Sequence, residues 1–231
     1  MSGDPLKEYR KKRDFDRTPE PKSSTGAKIS EAKPKSKSKS NDPIFVIQNH
    51  DASRLHYDLR LEVDGVLASW AMPKGPSTDP KDKRLAIRTE DHPVSYADFE
   101  GVIPEDEYGG GTVMVWDTGT YRNNRAPGRG ETEAASIAEQ LENGRVSIWL
   151  EGEKIRGGYK LARTRMDDGD REQWLLIKVD DDHADARRNP TSTQKKSVKT
   201  GRTLKEIEEE EAGSTNEKAS TKKKAASSSN K

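Results

Sequence analysis

Apolar and polar residues alternate without a break from Arg54 to Glu62 (R-L-H-Y-D-L-R-L-E), the period of a strand with two distinct faces. His56, Asp58, Arg60 and Glu62 share one face, and Leu55, Tyr57, Leu59 and Leu61 share the other. Asp64-Gly65 then fits a type I′ hairpin turn into a second strand over Val66–Met72. Before this hairpin, Ile44 to Gln48 is a short apolar run, followed by the turn residues Asp51, Ala52 and Ser53. After it, Pro73, Gly75 and Pro76 break the chain ahead of a strand over Arg84–Glu90. Further strands are expected at Thr112–Asp117, Arg145–Leu150, Tyr159–Arg163 and Gln173–Val179. One helix stands out over Glu131–Glu142, with Ile137 and Leu141 on one side, acids in its first turn and Gly144 as its stop. Many short strands, glycine-rich turns and little helix predict a mainly β protein: a compact antiparallel β-barrel with one or two flanking helices and disordered tails.

Composition narrows the picture. With 231 residues, 29% hydrophobic and 36% charged, the chain suits one modest globular domain plus much solvated sequence. The absence of cysteine excludes disulfides and thiolate metal sites, leaving His, Asp and Glu as candidate ligands. No apolar run approaches the ~18 residues of a membrane span and no secretory leader is visible, so a soluble, cytoplasmic protein is expected, taken here as a monomer. The net charge of +1 hides an asymmetry: residues 1–42 carry +5, residues 43–182 carry −9 and residues 183–231 carry +5. Basic flanks allow contact with nucleic acid, whereas the acidic core must meet any phosphate through a local cluster or a bound metal. The expected organisation is an arm over residues 1–20, a Lys/Ser-rich flexible linker over 21–42, the barrel over 43–182, an extension with a short helix over 183–212 and a disordered tail over 213–231.

The polar face of the alternating strand carries the candidate chemistry. His56 and Asp58, two residues apart, lie on one strand face with Cα atoms roughly 6–7 Å apart, close enough to converge on one ion. His50, across a tight turn, could add a third ligand. Such a set suits Mn²⁺, Zn²⁺, Co²⁺ or Fe²⁺ and is too nitrogen-rich for Ca²⁺. Arg84, Glu90 and His92 share parity on the later strand, so a second strand is expected to present Arg, an acid and His on one face. Guanidinium groups bind phosphate in a bidentate manner, and Arg60, Arg84 and Lys74 could neutralise charge that develops on a phosphate ester. Set against this is the plain alternative of a solvated face with locally bonded histidines, and for His183, in an acidic run, that alternative is preferred.

The segments F-V-I-Q-N-H-D-A-S-R-L-H-Y-D-L-R-L-E, S-W-A-M-P-K-G-P, T-E-D-H-P-V-S-Y, F-E-G-V-I-P and Y-G-G-G follow one another in an order that resembles the phosphoesterase domain of bacterial end-joining DNA ligase D. The similarity runs from about Tyr9 to Asp180 and resumes at S-V-K-T-G-R-T-L-K-E-I, and K-R-D-F-D-R-T-P-E-P looks like that family's arm. The resemblance implies a small β-barrel enzyme that uses Mn²⁺; ligand type alone leaves Zn²⁺ and Co²⁺ open. It implies action on 3′ ends of DNA or RNA–DNA primer-templates, removing a terminal ribonucleoside and then the remaining 3′-phosphate. By motif, His50, His56 and Asp58 are the implied metal ligands. His92, Arg60, Arg84, Lys74, Tyr96 and Glu90 form the implied catalytic set, with Arg60 and His92 on the scissile phosphate and His92 a candidate general acid. Arg13, Asp14, Glu20, Gln48 and Arg54 are the implied substrate-binding residues. Two departures stand out. Asp106 occupies a position where the family often has Gly, which should alter a turn. The linker between arm and barrel is also long. Ligase, polymerase or Ku-like partners are expected to act in trans. A non-catalytic DNA-end-binding or recruitment module, and an ordinary metal-dependent nuclease, are the competing readings.

Overall fold

The computed structural model describes residues 3–22, 42–128, 132–164 and 171–213. Its strands are β1 (Ile44–Asp51), β2 (Leu55–Val63), β3 (Val66–Met72), β4 (Lys83–Arg88), β5 (His92–Pro93), β6 (Gly101–Ile103), β7 (Gly111–Asn123), β8 (Arg145–Gly152), β9 (Arg156–Arg163) and β10 (Gln173–Lys178). Eight of them close an antiparallel barrel in the order β1-β2-β3-β4-β10-β9-β8-β7, with β7 returning to pair with β1. β5 adds to β3, and β6 adds to β7. The expected mainly β barrel is thus what forms. Closure removes the unpaired edges that a sheet of this size would otherwise expose.

The hairpin forms as its sequence dictates. Asp64 and Gly65 both hold positive φ, 49° and 81°, and Val63 pairs with Val66 across the turn. The alternation in β2 then sorts its side chains. Tyr57, Leu59 and Leu61 enter the barrel core with Trp70, Trp116, Trp174 and Tyr159, whereas His56, Asp58 and Arg60 point to the outer face. That outer face is covered: a second apolar cluster of Tyr9, Val46, Leu67, Tyr96, Phe99, Val113 and Val115 builds up between the barrel wall and the segments laid over it. The covering segments are residues 3–22, which contain α1 (Lys7–Lys11), and the 3-10 turn Val94–Asp98.

Three local expectations are corrected. The helix α2 spans Ile137–Glu142 and does not start at Glu131. Its entry is set by a capping box: Ser136 Oγ accepts the Glu139 N–H, and Glu139 Oε2 accepts the Ser136 N–H. Gly144, at φ 69°, ends it as expected. The strand expected over Arg84–Glu90 stops at Arg88, and His92 belongs to the separate short strand β5. Most consequential, the parity of β4 is opposite to that expected. Arg84 pairs with Leu176, and Ala86 pairs with Trp174. Paired residues share a face, so Arg84 lies on the barrel-interior side and the half-exposed Leu85 lies outside.

The C-terminal residues are integral to the barrel. After α3 (Pro190–Thr193), Trp116 Nε1 donates to the Gln194 carbonyl and Val198 N–H donates to the Val115 carbonyl. Ser197 and Arg202 both bond Glu100. A further helix over residues 204–213, α4, places Ile207 fully buried in the main core, with Leu204 against it. Most of the linker (residues 23–41) and of the expected tail (residues 214–231) lies outside the described residues. Truncating this end anchor should be costly: Ile207→Ala is expected to lower unfolding free energy by about 3 kcal/mol, read as a lower urea midpoint at unchanged slope.

Candidate metal and phosphate site

Sheet register assembles the site on the covered outer face. His50 pairs directly with His56 across β1 and β2, Gln48 with Asp58, and Arg60 with Ser69 on β3. Asp58 Oδ2 lies 3.8 Å from His50 Nδ1, and Asp58 Oδ1 lies 3.6 Å from His56 Nε2. One ligand atom from each of the three residues falls within 4.8 Å of the others. Donors bonded at about 2.0–2.2 Å sit roughly 3–4 Å apart around one ion, so this group can close on a divalent cation. Two details point the same way. His56 Nδ1 donates to the Arg54 carbonyl at 2.8 Å, which turns the Nε2 lone pair toward Asp58. His50 Nε2 is buried without a hydrogen-bond partner.

Arg60 is buried beside this group and holds it in place. Its Nη2 donates to Asp58 Oδ2 at 3.0 Å, Nε to Gln48 Oε1 at 2.7 Å and Nη1 to Ser69 Oγ at 3.0 Å. Gln48 in turn donates to the carbonyls of Tyr96 and Phe99. Burial alone would raise the Asp58 carboxyl, but Arg60 and the two imidazoles more than offset it and hold the group at about 2.

His92 lies between two guanidiniums. Arg60 Nη1 is 3.0 Å from its Nδ1, and Arg13 Nη2 is 3.2 Å from its Nε2. The Glu90 carbonyl, 2.9 Å from Nδ1, can only accept, so Nδ1 carries the proton and donates to it, Nε2 accepts from Arg13, and Arg60 Nη1 donates to Ser69 Oγ and only packs against the ring. Burial, reinforced by the charges of Arg60 and Arg13, pushes His92 well below 6.5, so the ring is neutral.

The arm supplies Arg13 from outside the barrel. Its Nε donates to Glu20 Oε1 at 2.8 Å and Nη1 to Glu90 Oε1 at 3.1 Å, and its guanidinium lies 4.0 Å from the centre of the Tyr9 ring. Tyr96 Oη donates to the same Glu20 oxygen at 2.9 Å; burial and the Glu20 carboxylate push that phenol well above 10. Lys12 bonds Glu90 Oε2 at 3.0 Å, and Arg17 pairs with Asp106 and Glu107. Asp106 is therefore a partner of the arm. Among the described residues the single non-glycine at positive φ is Asp64, so Asp106 needs no glycine backbone.

A cavity of about 330 Å³ opens over these groups. Among the residues singled out from sequence, Arg13, Glu20, His50, Arg54, His56, Asp58, Arg60, Glu90, His92 and Tyr96 line it. Gln48 supports it from below. Arg84 is elsewhere, bonded to Asp82 at 2.7 Å, and Lys74 is exposed in its Pro/Gly loop, next to the cavity-lining Pro73 but not itself in the lining. Asp14 is exposed; its carboxylate accepts the Asp16 N–H, and its carbonyl accepts the Arg17 and Thr18 N–H groups, shaping the arm's turn. His183 is exposed and packs edge-on against Trp149. Sequence reasoning missed Ser69, Lys12, Thr18, Tyr108 and Arg171. For Ser69 the shared parity with Ala71 on β3 was an available signal; the others carry no pattern that sets them apart.

A closed barrel whose outer wall bears two imidazoles, a carboxylate and buried guanidiniums under a docked arm defines a class of candidate metal-dependent phosphate-handling domains. Residues 48–163, half of the chain, match the family described as the DNA Ligase D 3′-phosphoesterase domain, and the chain belongs to that family. It is 48% identical over 183 residues to the multifunctional non-homologous end joining protein LigD of Pseudomonas aeruginosa, an alignment covering 79% of this chain and 19% of that protein. The corresponding protein of Mycolicibacterium smegmatis is 41% identical over 183 residues, covering 77% of this chain and 21% of the relative. The multifunctional non-homologous end joining DNA repair protein LigD of Mycobacterium tuberculosis strain H37Rv is 45% identical over 176 residues, covering 76% and 20%. The chain thus spans about a fifth of the length of these relatives. Among the described residues no helix is long and apolar enough to cross a membrane.

The depressed Asp58 carboxyl has a stability consequence with a definite sign. Ionised Asp58 adds stability that is complete above pH 3.8 and is lost as the pH falls toward about 2. In chelator, wild-type protein should lose about 2 kcal/mol more than Asp58→Asn between pH 5 and pH 2, measured by urea unfolding at each pH. Equal losses would show that the Asp58–Arg60 pair does not stabilise the fold.

Proposed function

We propose that the protein is a manganese-dependent 3′-end-healing phosphoesterase for DNA or RNA–DNA primer strands in end-joining repair. It would remove 3′-terminal ribonucleosides by diester cleavage and 3′-phosphates by monoester cleavage. The observation that carries this reading is the convergence of His50, His56 and Asp58 beside the buried Arg60, in a chain of the 3′-phosphoesterase family. These three residues would hold the ion, with Zn²⁺ or Co²⁺ as alternatives to Mn²⁺ by ligand type. Bound there, a divalent ion supplies Lewis-acid polarisation of a phosphate oxygen and activation of water.

The chain's own groups have separate tasks. His56, fixed by the Arg54 carbonyl, keeps one nitrogen aimed at the ion's position, and Arg60 keeps Asp58 ionised and oriented. Arg13 and Arg60, with His92 between them, form a preorganised positive wall for the non-bridging phosphate oxygens. His92 begins neutral; to serve as general acid it needs the phosphate's negative charge to bring a proton to Nε2 in place of the Arg13 contact. Tyr96 remains a protonated phenol and positions Glu20, which in turn positions Arg13. Glu90 ties Arg13 and Lys12 to the barrel side of the cavity. The cavity's position at the surface suits a strand terminus, presented where a ligase, polymerase or Ku-like partner would act in trans at the nucleoid.

The test is incubation of purified protein with a primer-template ending in a 3′-ribonucleotide, with and without Mn²⁺. Shortening by one nucleoside and release of phosphate are expected, and Mn²⁺ should restore chelated protein. His56→Ala and Asp58→Ala should each lower both activities by at least about 1,000-fold while circular dichroism stays that of wild type. Unimpaired cleavage by His56→Ala would eliminate this site; end binding without turnover would favour a recruitment module, and digestion into the deoxynucleotide tract would favour a nuclease.

A further inference from the structure

Three large apolar or aromatic side chains are exposed among the described residues, and two of them, Leu55 at 50% and Tyr108 at 41%, line the phosphate cavity. Single exposed apolar side chains are ordinary, but two gathered at the mouth of one cavity form a place that a ligand can cover. Tyr108 is held in this position. Lys12 Nζ lies 4.7 Å from the centre of its ring and donates to its hydroxyl at 3.3 Å. The next residue, Gly109, has φ 78°, and a Cβ there would lie 4.0 Å from His50 Cε1. The loop therefore presents Tyr108 one residue from the metal-ligand wall. Leu55, the first residue of β2, leaves the strand on the face opposite His56 but still lines the rim of the same cavity.

Charge around these two side chains identifies the occupant. Arg54 and Arg171 also line the cavity, and among the described residues neither makes an ion pair. The barrel segment carries −9 overall, so two uncommitted guanidiniums at this opening are local exceptions to its charge. A ligand with a flat apolar face attached to phosphates matches both features, and a nucleotide has that chemistry.

We infer that Tyr108, with Leu55, stacks the terminal nucleobase of the strand whose phosphate enters the site, while Arg54 and Arg171 meet the backbone phosphate behind it. The inference rests on the phosphoesterase reading and extends it: the site selects an end that still carries a base. A sugar 3′-phosphate without a base would lose this contact and keep the rest.

The experiment uses two 3′-phosphate primers on one template, identical except that one has an abasic terminal nucleoside. Fluorescence anisotropy gives binding, and phosphate release gives KM and kcat. Wild type should bind the base-bearing primer roughly tenfold more tightly than the abasic one. Tyr108→Ala should erase that difference by raising KM on the base-bearing primer, with kcat kept. Tyr108→Phe, which keeps the ring and removes the hydroxyl that meets Lys12, should restore the preference. Equal binding of both primers by wild type would overturn the inference. So would a Tyr108→Ala defect of the same size on both primers, because the ring would then act only by docking the arm. Failure of the phosphoesterase reading looks different: no phosphate is released from either primer, whatever the binding preference.

Discussion

Two guanidinium groups, Arg60 from the barrel and Arg13 from the arm, are buried on either side of one neutral imidazole, His92. Buried charge is tolerated only when it is paired and hydrogen-bonded, and removing one partner of such a pair costs about 3–5 kcal/mol. Here the requirement fixes almost everything near it. Asp58 must stay ionised to balance Arg60; Glu20 and Glu90 must flank Arg13; Gln48 and Ser69 must take the remaining Arg60 donors. The same pairing that makes the burial affordable also aims Asp58 toward His50 and His56. Stability and ligand geometry are therefore one arrangement of charges.

The site lies on the outside of the barrel, an unusual address for buried polar groups. It can exist there because the arm and the Val94–Asp98 turn bring their own apolar residues and create a second core over the wall. Tyr9 shows the principle. Its ring packs in that core and supports the Arg13 guanidinium, while its hydroxyl donates to the Pro21 carbonyl and closes the arm on itself. The long segment between arm and barrel does not prevent docking, since the contacts that hold the arm come from residues 9–20 themselves. Arg17 adds a surface pair with Asp106, which turns a departure from the family's glycine into an added tether.

Much of this was legible from residue order. The alternation in β2 and the Asp-Gly turn specified the hairpin, and with it the faces of His56, Asp58 and Arg60, because side-chain direction along a strand is set by local geometry. His50 opposite His56 followed from the tight connection. The error at Arg84, Glu90 and His92 has an equally local origin. The alternation continues on paper past Thr89, whereas the chain turns after Arg88, and beyond a turn parity carries no information. On β4 the small Ala86, and not Leu85 or Ile87, faces the barrel. Close packing against Trp174 and Trp70 decides that choice, and no single strand displays it. Helix α2 began late for a comparable reason: acids at 131–134 resembled a first turn, but Ser136 and Glu139 close the capping box.

The sequence by itself determined the two faces of β2, the hairpin, the family and the triad of ligand-type residues, all of which depend on neighbours within a few positions or on motifs in order. Only the tertiary structure decided that Arg13 reaches His92, that Glu20 and Tyr96 share a hydrogen bond, that Ile207 completes the core, and that Arg84 and Lys74 stand outside the cavity. The Arg13–His92 and Glu20–Tyr96 contacts join residues 79 and 76 positions apart, and their existence depends on barrel closure and on the balance of buried charge, quantities that belong to the assembled fold and to no local stretch of chain.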